Sequence, residues 1–233
     1  MQVILFALLG VVVGLLLDPL VVRLAVPAAE EATPPEDHPV TASPSEAGRA
    51  RLTTLIGEGP MWRRPALVAI TGAAFAVAAA RYEEPGQAAL VSAYAAVLIT
   101  CAATDLLAFR VPNVITYPAA GGALLAAVLM PRGNLSEALI GGAVGGGLLL
   151  AMAIISRGGL GIGDAKLAGF AGLALGGPLI FPALLITTVA GGVAAVCLAL
   201  YLRRRDFPVP YAPFISAGAL AVLLWQGSAF ARF

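Results

Sequence analysis

"GGLGIGDAKL", residues Gly158 to Leu167, sets an aspartate and a lysine among four glycines in the middle of a chain that otherwise reads as lipid-soluble. The 233 residues are 60% hydrophobic and only 12% charged, with a mean hydropathy of +0.93. A soluble chain carries about a quarter of its residues as charges, so half that fraction identifies lipid as the main solvent. The fold class that follows is all-α, a polytopic integral membrane protein. Apolar runs of about 17 to 25 residues mark its spans. They fall at 1–26, 65–80, 86–105, 114–130, 135–156, 165–177, 178–202 and 212–230, which gives about eight transmembrane helices. "MQVILFALLGVVVGLL" lacks the positive stretch that opens a cleavable signal peptide, so the first run is expected to remain as a span.

Between the first and second runs lies the one long polar segment, 27–64, rich in Pro, Ser, Thr and acids without apolar periodicity. It is expected to be a largely disordered cytoplasmic loop. His38, the single histidine, has no second His or Cys within ligand spacing, and Cys101 and Cys197 stand alone in apolar runs, so no metal site is expected. A net charge of +1 gives no reason to expect a nucleic-acid partner.

Orientation follows from the basic residues. Eight crossings put Arg23, Arg49, Arg51, Arg63, Arg64, Arg110, Arg157, Lys166, Arg203, Arg204 and Arg205 on one side, and only Arg81, Arg132 and Arg232 on the other. The positive-inside rule makes the first side cytoplasmic. Three acids then stand in or at the margins of apolar runs: Asp18, Asp105 and Asp164. An ionisable group at that depth is costly and is a functional candidate by default. For Asp18 the expected role is pairing with Arg23.

Asp105 and Asp164 are a different case. Asp105 ends the third run, two crossings follow, and the chain returns to the same margin at Asp164. Two carboxylates brought close do not both ionise; they share a proton, so one activates water while the other protonates a carbonyl. That is the equipment of an aspartyl protease, and residues 65–233 are read as a membrane-embedded domain of that kind. Gly161 and Gly163 strip side chains from around Asp164, which opens the backbone to an extended peptide. Asp164 is expected to cap the sixth helix and to act as the base, with Asp105 as the acid. Lys166 is either a basic anchor at the membrane face or a supporting residue of the pair. A small proton-coupled transporter, or a non-catalytic membrane scaffold, is the competing interpretation; a transporter favours acids at the midplane.

Three stretches resemble the type IV prepilin peptidases, membrane aspartyl proteases with a GxGD signature. "TDLLAFRVPNVIT" (Thr104 to Thr116) is similar to the family's first aspartate segment, carrying Pro112 and Asn113. "GLGIGDAKL" is similar to the second, with Gly161, Gly163, Asp164 and Lys166. "PVPYAPFISAGAL" (Pro208 to Leu220) resembles the segment that opens the last span, with Tyr211 and Ala212 in place of Phe-Gly. The resemblance implies Asp105 and Asp164 as the catalytic pair. Pro112, Asn113, Gly161, Gly163 and Lys166 become supporting or substrate-binding residues. The substrate it implies is a type IV prepilin or pilin-like precursor with a short basic leader, a cleavage site and then an apolar helix, processed for pilus assembly or protein secretion. Cleavage would occur at the cytoplasmic face of the bacterial inner membrane, within the bilayer and without a cofactor. Many members carry paired CxxC motifs in the loop corresponding to 27–64, and this chain has none. Peptidase activity alone is therefore expected, with S-adenosylmethionine as a cofactor only if N-methylation of the product is retained.

Overall fold

The computed structural model describes residues 1–30, 63–155, 160–202, 209–229 and 231–232. These form eight α-helices: α1 (Gln2–Glu30), α2 (Arg63–Arg81), α3 (Pro85–Ala108), α4 (Asn113–Leu129), α5 (Leu135–Ile155), α6 (Ile162–Leu175), α7 (Gly177–Leu202) and α8 (Ala212–Trp225). A two-stranded antiparallel pair, Gly227–Ser228 with Ala231–Arg232, follows. The polar loop expected over 27–64 lies outside the described residues, except that α1 continues through Glu30 and α2 already begins at Arg63.

Five helices, α1, α2, α3, α5 and α7, are long and apolar enough to cross a membrane. This corrects the count of about eight crossings. α4 has 17 residues and α6 and α8 have 14 each. At 1.5 Å per residue a 14-residue helix reaches only about 21 Å, against a hydrocarbon core of about 30 Å. The runs at 165–177 and 212–230 extend past the glycines at which α6 and α8 stop. Gly176 (φ 84) ends α6 and Gly227 (φ 116) follows α8, both in the left-handed region that suits glycine.

Glycine contacts decide how the helices stack. On α1 the buried positions Phe6, Gly10, Gly14, Leu17, Asp18 and Val21 form one stripe, while Leu5, Leu8, Val12 and Leu15 face outward. A Cβ on Gly10 would lie 2.9 Å from Gly72 Cα, and one on Gly14 2.7 Å from Val68 Cα, so α1 and α2 meet backbone to backbone. Asp18 is buried there at 2% exposure, bound by Arg63 Nε and Arg64 Nε at 2.7 Å each. The expected partner, Arg23, is replaced by these two for a geometric reason. Five residues along a helix turn through about 140°, away from Asp18, whereas the first turn of α2 stands alongside it.

The same device joins α5 to α6. Gly141 and Gly145 oppose Gly172 and Ala168, and a Cβ on either Gly141 or Gly172 would fall on the other's carbonyl. Without a hydrophobic force between helices in lipid, such close small-residue packing is what holds them. α3 is the central helix: its buried face runs from Gln87 to Asp105. It meets α8 through Ser216 Oγ, which donates to Leu98 O at 2.8 Å. The C-terminal end of α3 and the N-terminal ends of α4, α6 and α8 converge at one end of the bundle.

Gly172→Ala should lower the thermal stability of the detergent-solubilised protein by about 1–3 kcal/mol, the usual cost of overpacking. Gly147→Ala, where an added Cβ meets nothing within 4 Å, should be neutral or slightly stabilising. Equal melting temperatures for the two variants would contradict the close contact between α5 and α6.

Candidate active site

Asp105 stands in the last turn of α3 and is 5% exposed. Its Oδ2 accepts the backbone N–H of Ala212, the first residue of α8, at 3.0 Å. The neighbouring hydroxyl of Thr104 is turned back to its own helix, donating to Thr100 O and Cys101 O at 2.9 and 3.0 Å. It therefore leaves the carboxylate to α8. Just beyond, the helix is closed by Phe109, whose N–H donates to Asp105 O at 2.8 Å and whose φ is +50°. Left-handed backbone costs a side-chain-bearing residue on the order of 1–2 kcal/mol, and Phe109 is the one described non-glycine residue that adopts it.

Asp164 is the third residue of α6 and is 7% exposed. Contrary to the sequence expectation, it does not itself cap the helix: Gly161 occupies that position, and Asp164 reaches back to it. Gly161 N–H donates to Asp164 Oδ2 at 3.2 Å, and Asp164 N–H to Gly161 O at 3.1 Å, half of a capping box. Oδ1 of Asp164 is buried and has no hydrogen-bond partner among the described residues. Gly163 has a separate reason to be glycine. A Cβ there would come within 3.1 Å of Val111 Cβ, in the turn that follows Asp105.

Both carboxylates line one cavity of about 210 Å³. Asn113, Gly161, Gly163 and Lys166 also line it, as do Phe109, Arg110 and Val111. Pro112 does not. It supports from behind, its carbonyl accepting Thr116 N–H and Oγ1 at 3.1 and 3.0 Å and so setting the first turn of α4. Lys166, two residues past Asp164, is held by α4: its Nζ donates to Asn113 Oδ1 at 3.1 Å and lies 5.2 Å from the Tyr117 ring centroid. It is thus a strut between the first turns of α4 and α6. Gly158 and Gly159 lie outside the described residues.

Sequence reasoning missed Ala212, Phe109, Val111 and Tyr117. Nothing in their local patterns signals them, because each acts through a contact between helices. It also set Asp164, as a residue at a helix start, apart from Asp105. Asp105 closes its own helix but receives an N–H from the start of another, so each carboxylate is held by one backbone donor at a helix N-terminus. Among the described residues no three His, Cys, Asp or Glu side chains gather as metal ligands would.

Residues 92–196 match the type IV leader peptidase family. The chain is 30% identical over 167 residues to the prepilin leader peptidase/N-methyltransferase of Bacillus subtilis (strain 168), covering 70% of this chain and 66% of that protein. It is 32% identical over 200 residues to the protein of the same name from Burkholderia pseudomallei (strain 1026b), covering 82% and 62%. The chain thus spans just under two thirds of the length of these curated relatives. No solved structure matches it significantly.

Gly163→Ala should destabilise the protein by about 1–3 kcal/mol by crowding Val111. Combining it with Val111→Ala should recover part of that loss, so that the two substitutions are non-additive in a thermal-unfolding cycle. Strict additivity would mean that the two residues do not meet.

Proposed function

From the match of residues 92–196 to the type IV leader peptidase family we propose that the chain is a member of it, a membrane aspartyl endopeptidase that removes the leader from a prepilin-like precursor. The observation that carries this reading is the shared cavity. Asp105 and Asp164 come from helices that do not adjoin in sequence, yet they line one small space together with the GxGD glycines.

In the proposed reaction one carboxylate takes a proton from water while the other gives its proton to the scissile carbonyl, producing a tetrahedral diol. The carboxyl that took the water proton then gives it to the departing amine while the other carboxylate takes a proton from a diol hydroxyl; the C–N bond breaks, leaving a carboxylic acid and an amine, and the pair again shares one proton. Asp164 is assigned as the initial base, since its Oδ1 has no protein partner among the described residues while Oδ2 is fixed by Gly161. Asp105, aimed by Ala212, is the acid.

Both acids lie within a turn of a helix end, which favours cleavage at a membrane face over transport through the midplane. Arg110 and Lys166 line the same cavity as the two acids, and positive charge at that end of the bundle supports the cytoplasmic face of the bacterial inner membrane. The partners are then the bilayer and a prepilin whose basic leader lies on that side. Methyl transfer is not part of the proposal. The proteolytic steps use two carboxylates and water, and need no cofactor.

Asp105→Asn and Asp164→Asn should each reduce leader cleavage by roughly 100- to 10,000-fold while the proteins still insert, measured on a co-expressed prepilin by gel shift. Wild-type cleavage by either variant would end the dyad assignment.

The strut between α4 and α6 can be tested separately. Lys166→Ala and Asn113→Ala should slow cleavage to similar extents, with little further loss in the double variant. Asn113→Asp, which keeps an acceptor for the ammonium, should retain most activity. Independent effects of the two alanines would instead give Lys166 a role apart from Asn113.

A further inference from the structure

Phe109 breaks a local rule at the edge of the cavity. Its position, directly after the last turn of α3, calls for a left-handed residue, and glycine fills such positions without strain. A β-carbon with a bulky ring is disfavoured there. Nothing in helix closure needs the ring, since the bond from Phe109 N–H to Asp105 O is a backbone one. Strain retained at a functional site directs attention to what the side chain does. The ring lines the cavity whose other walls are carboxylates, an amide, two cationic side chains and glycines. Val111, the remaining apolar lining residue, is buried and already committed to Gly163. Phe109 is only partly buried, and it is the apolar surface the cavity has left to offer.

We propose that Phe109 is a specificity-determining residue, its ring packing against the side chain of the first residue after the scissile bond, where the precursor's apolar segment begins. This rests on the peptidase reading. The left-handed turn places the ring beside the dyad, and the unfavourable backbone is retained because the ring must stand there.

The test uses the full-length purified protein and synthetic precursors with a basic leader, one variable residue after the cleavage site and an apolar segment. The wild type should cleave a Leu precursor about tenfold faster, in kcat/KM, than a Ser one, and Phe109→Tyr should keep that preference. Phe109→Gly and Phe109→Asn both relieve the left-handed backbone. They should melt close to the wild type and cleave both precursors at the slower rate, with the preference abolished. If one fails to fold, the other carries the comparison. A preference that survives in either variant, or is absent from the wild type, overturns the inference while leaving the dyad standing. If the wild type shows no cleavage beyond that of Asp105→Asn, the peptidase reading falls and this inference falls with it.

Discussion

The hydrogen bond from Ala212 N–H to Asp105 Oδ2 is the contact on which the arrangement of the site depends. A carboxylate inside an apolar bundle needs donors that water does not supply, and leaving it without them costs more than the bond itself returns. The first turn of α8 has one to give. Pro213 has no N–H, and the N–H groups of Phe214 and Ile215 turn back to Tyr211 O, so Ala212 is what that turn can offer a partner. Taking it fixes the rotation of Asp105 and pins the start of α8 to the end of α3. Along the same seam Ser216 bonds to Leu98 O, and beyond it Tyr82 Oη donates to Leu223 O at 2.8 Å. The carboxylate proposed as a reactive group is thus also a structural tie, and it requires the close approach of two helices far apart in the chain.

The second acid is placed by a different force. α6 is pressed onto α5 along glycines, which lets the two backbones touch, and its first turn is braced against α4 by Lys166 and Asn113. Asp164 therefore arrives at the cavity with its helix held on two sides. The pairing of the acids is a product of packing between five helices, and no one of them contains a site.

How much of this was legible in the sequence depends on the scale of the question. Hydropathy located the eight helices of the described residues, because burial in lipid leaves a long apolar run, and the acids inside those runs stood out against it. The return of the chain to one margin brought Asp105 and Asp164 together correctly. Rotation about each helix axis was not legible. Helices apolar on all sides carry little periodic signal, so the sequence does not tell which face of α8 meets α3, or that Asp18 turns toward Arg63 and Arg64. Nor did apolar runs reveal where helices stop, since Gly176 and Gly227 interrupt them without adding polarity. Phe109 was hidden for the opposite reason: a left-handed backbone under an aromatic residue contradicts local preference.

The shortness of α6 and α8 has a consequence for the surrounding lipid. Both are about 9 Å shorter than a typical hydrocarbon layer is thick, and both start at the cavity. Lipid meeting such short elements thins locally, or the elements sink below the headgroups, and either adjustment has an elastic cost that grows with bilayer thickness. The bilayer is then a mechanical component of the site: acyl-chain length sets how far below the headgroups the dyad sits, and with it the depth to which a chain must be drawn before it reaches Asp105 and Asp164.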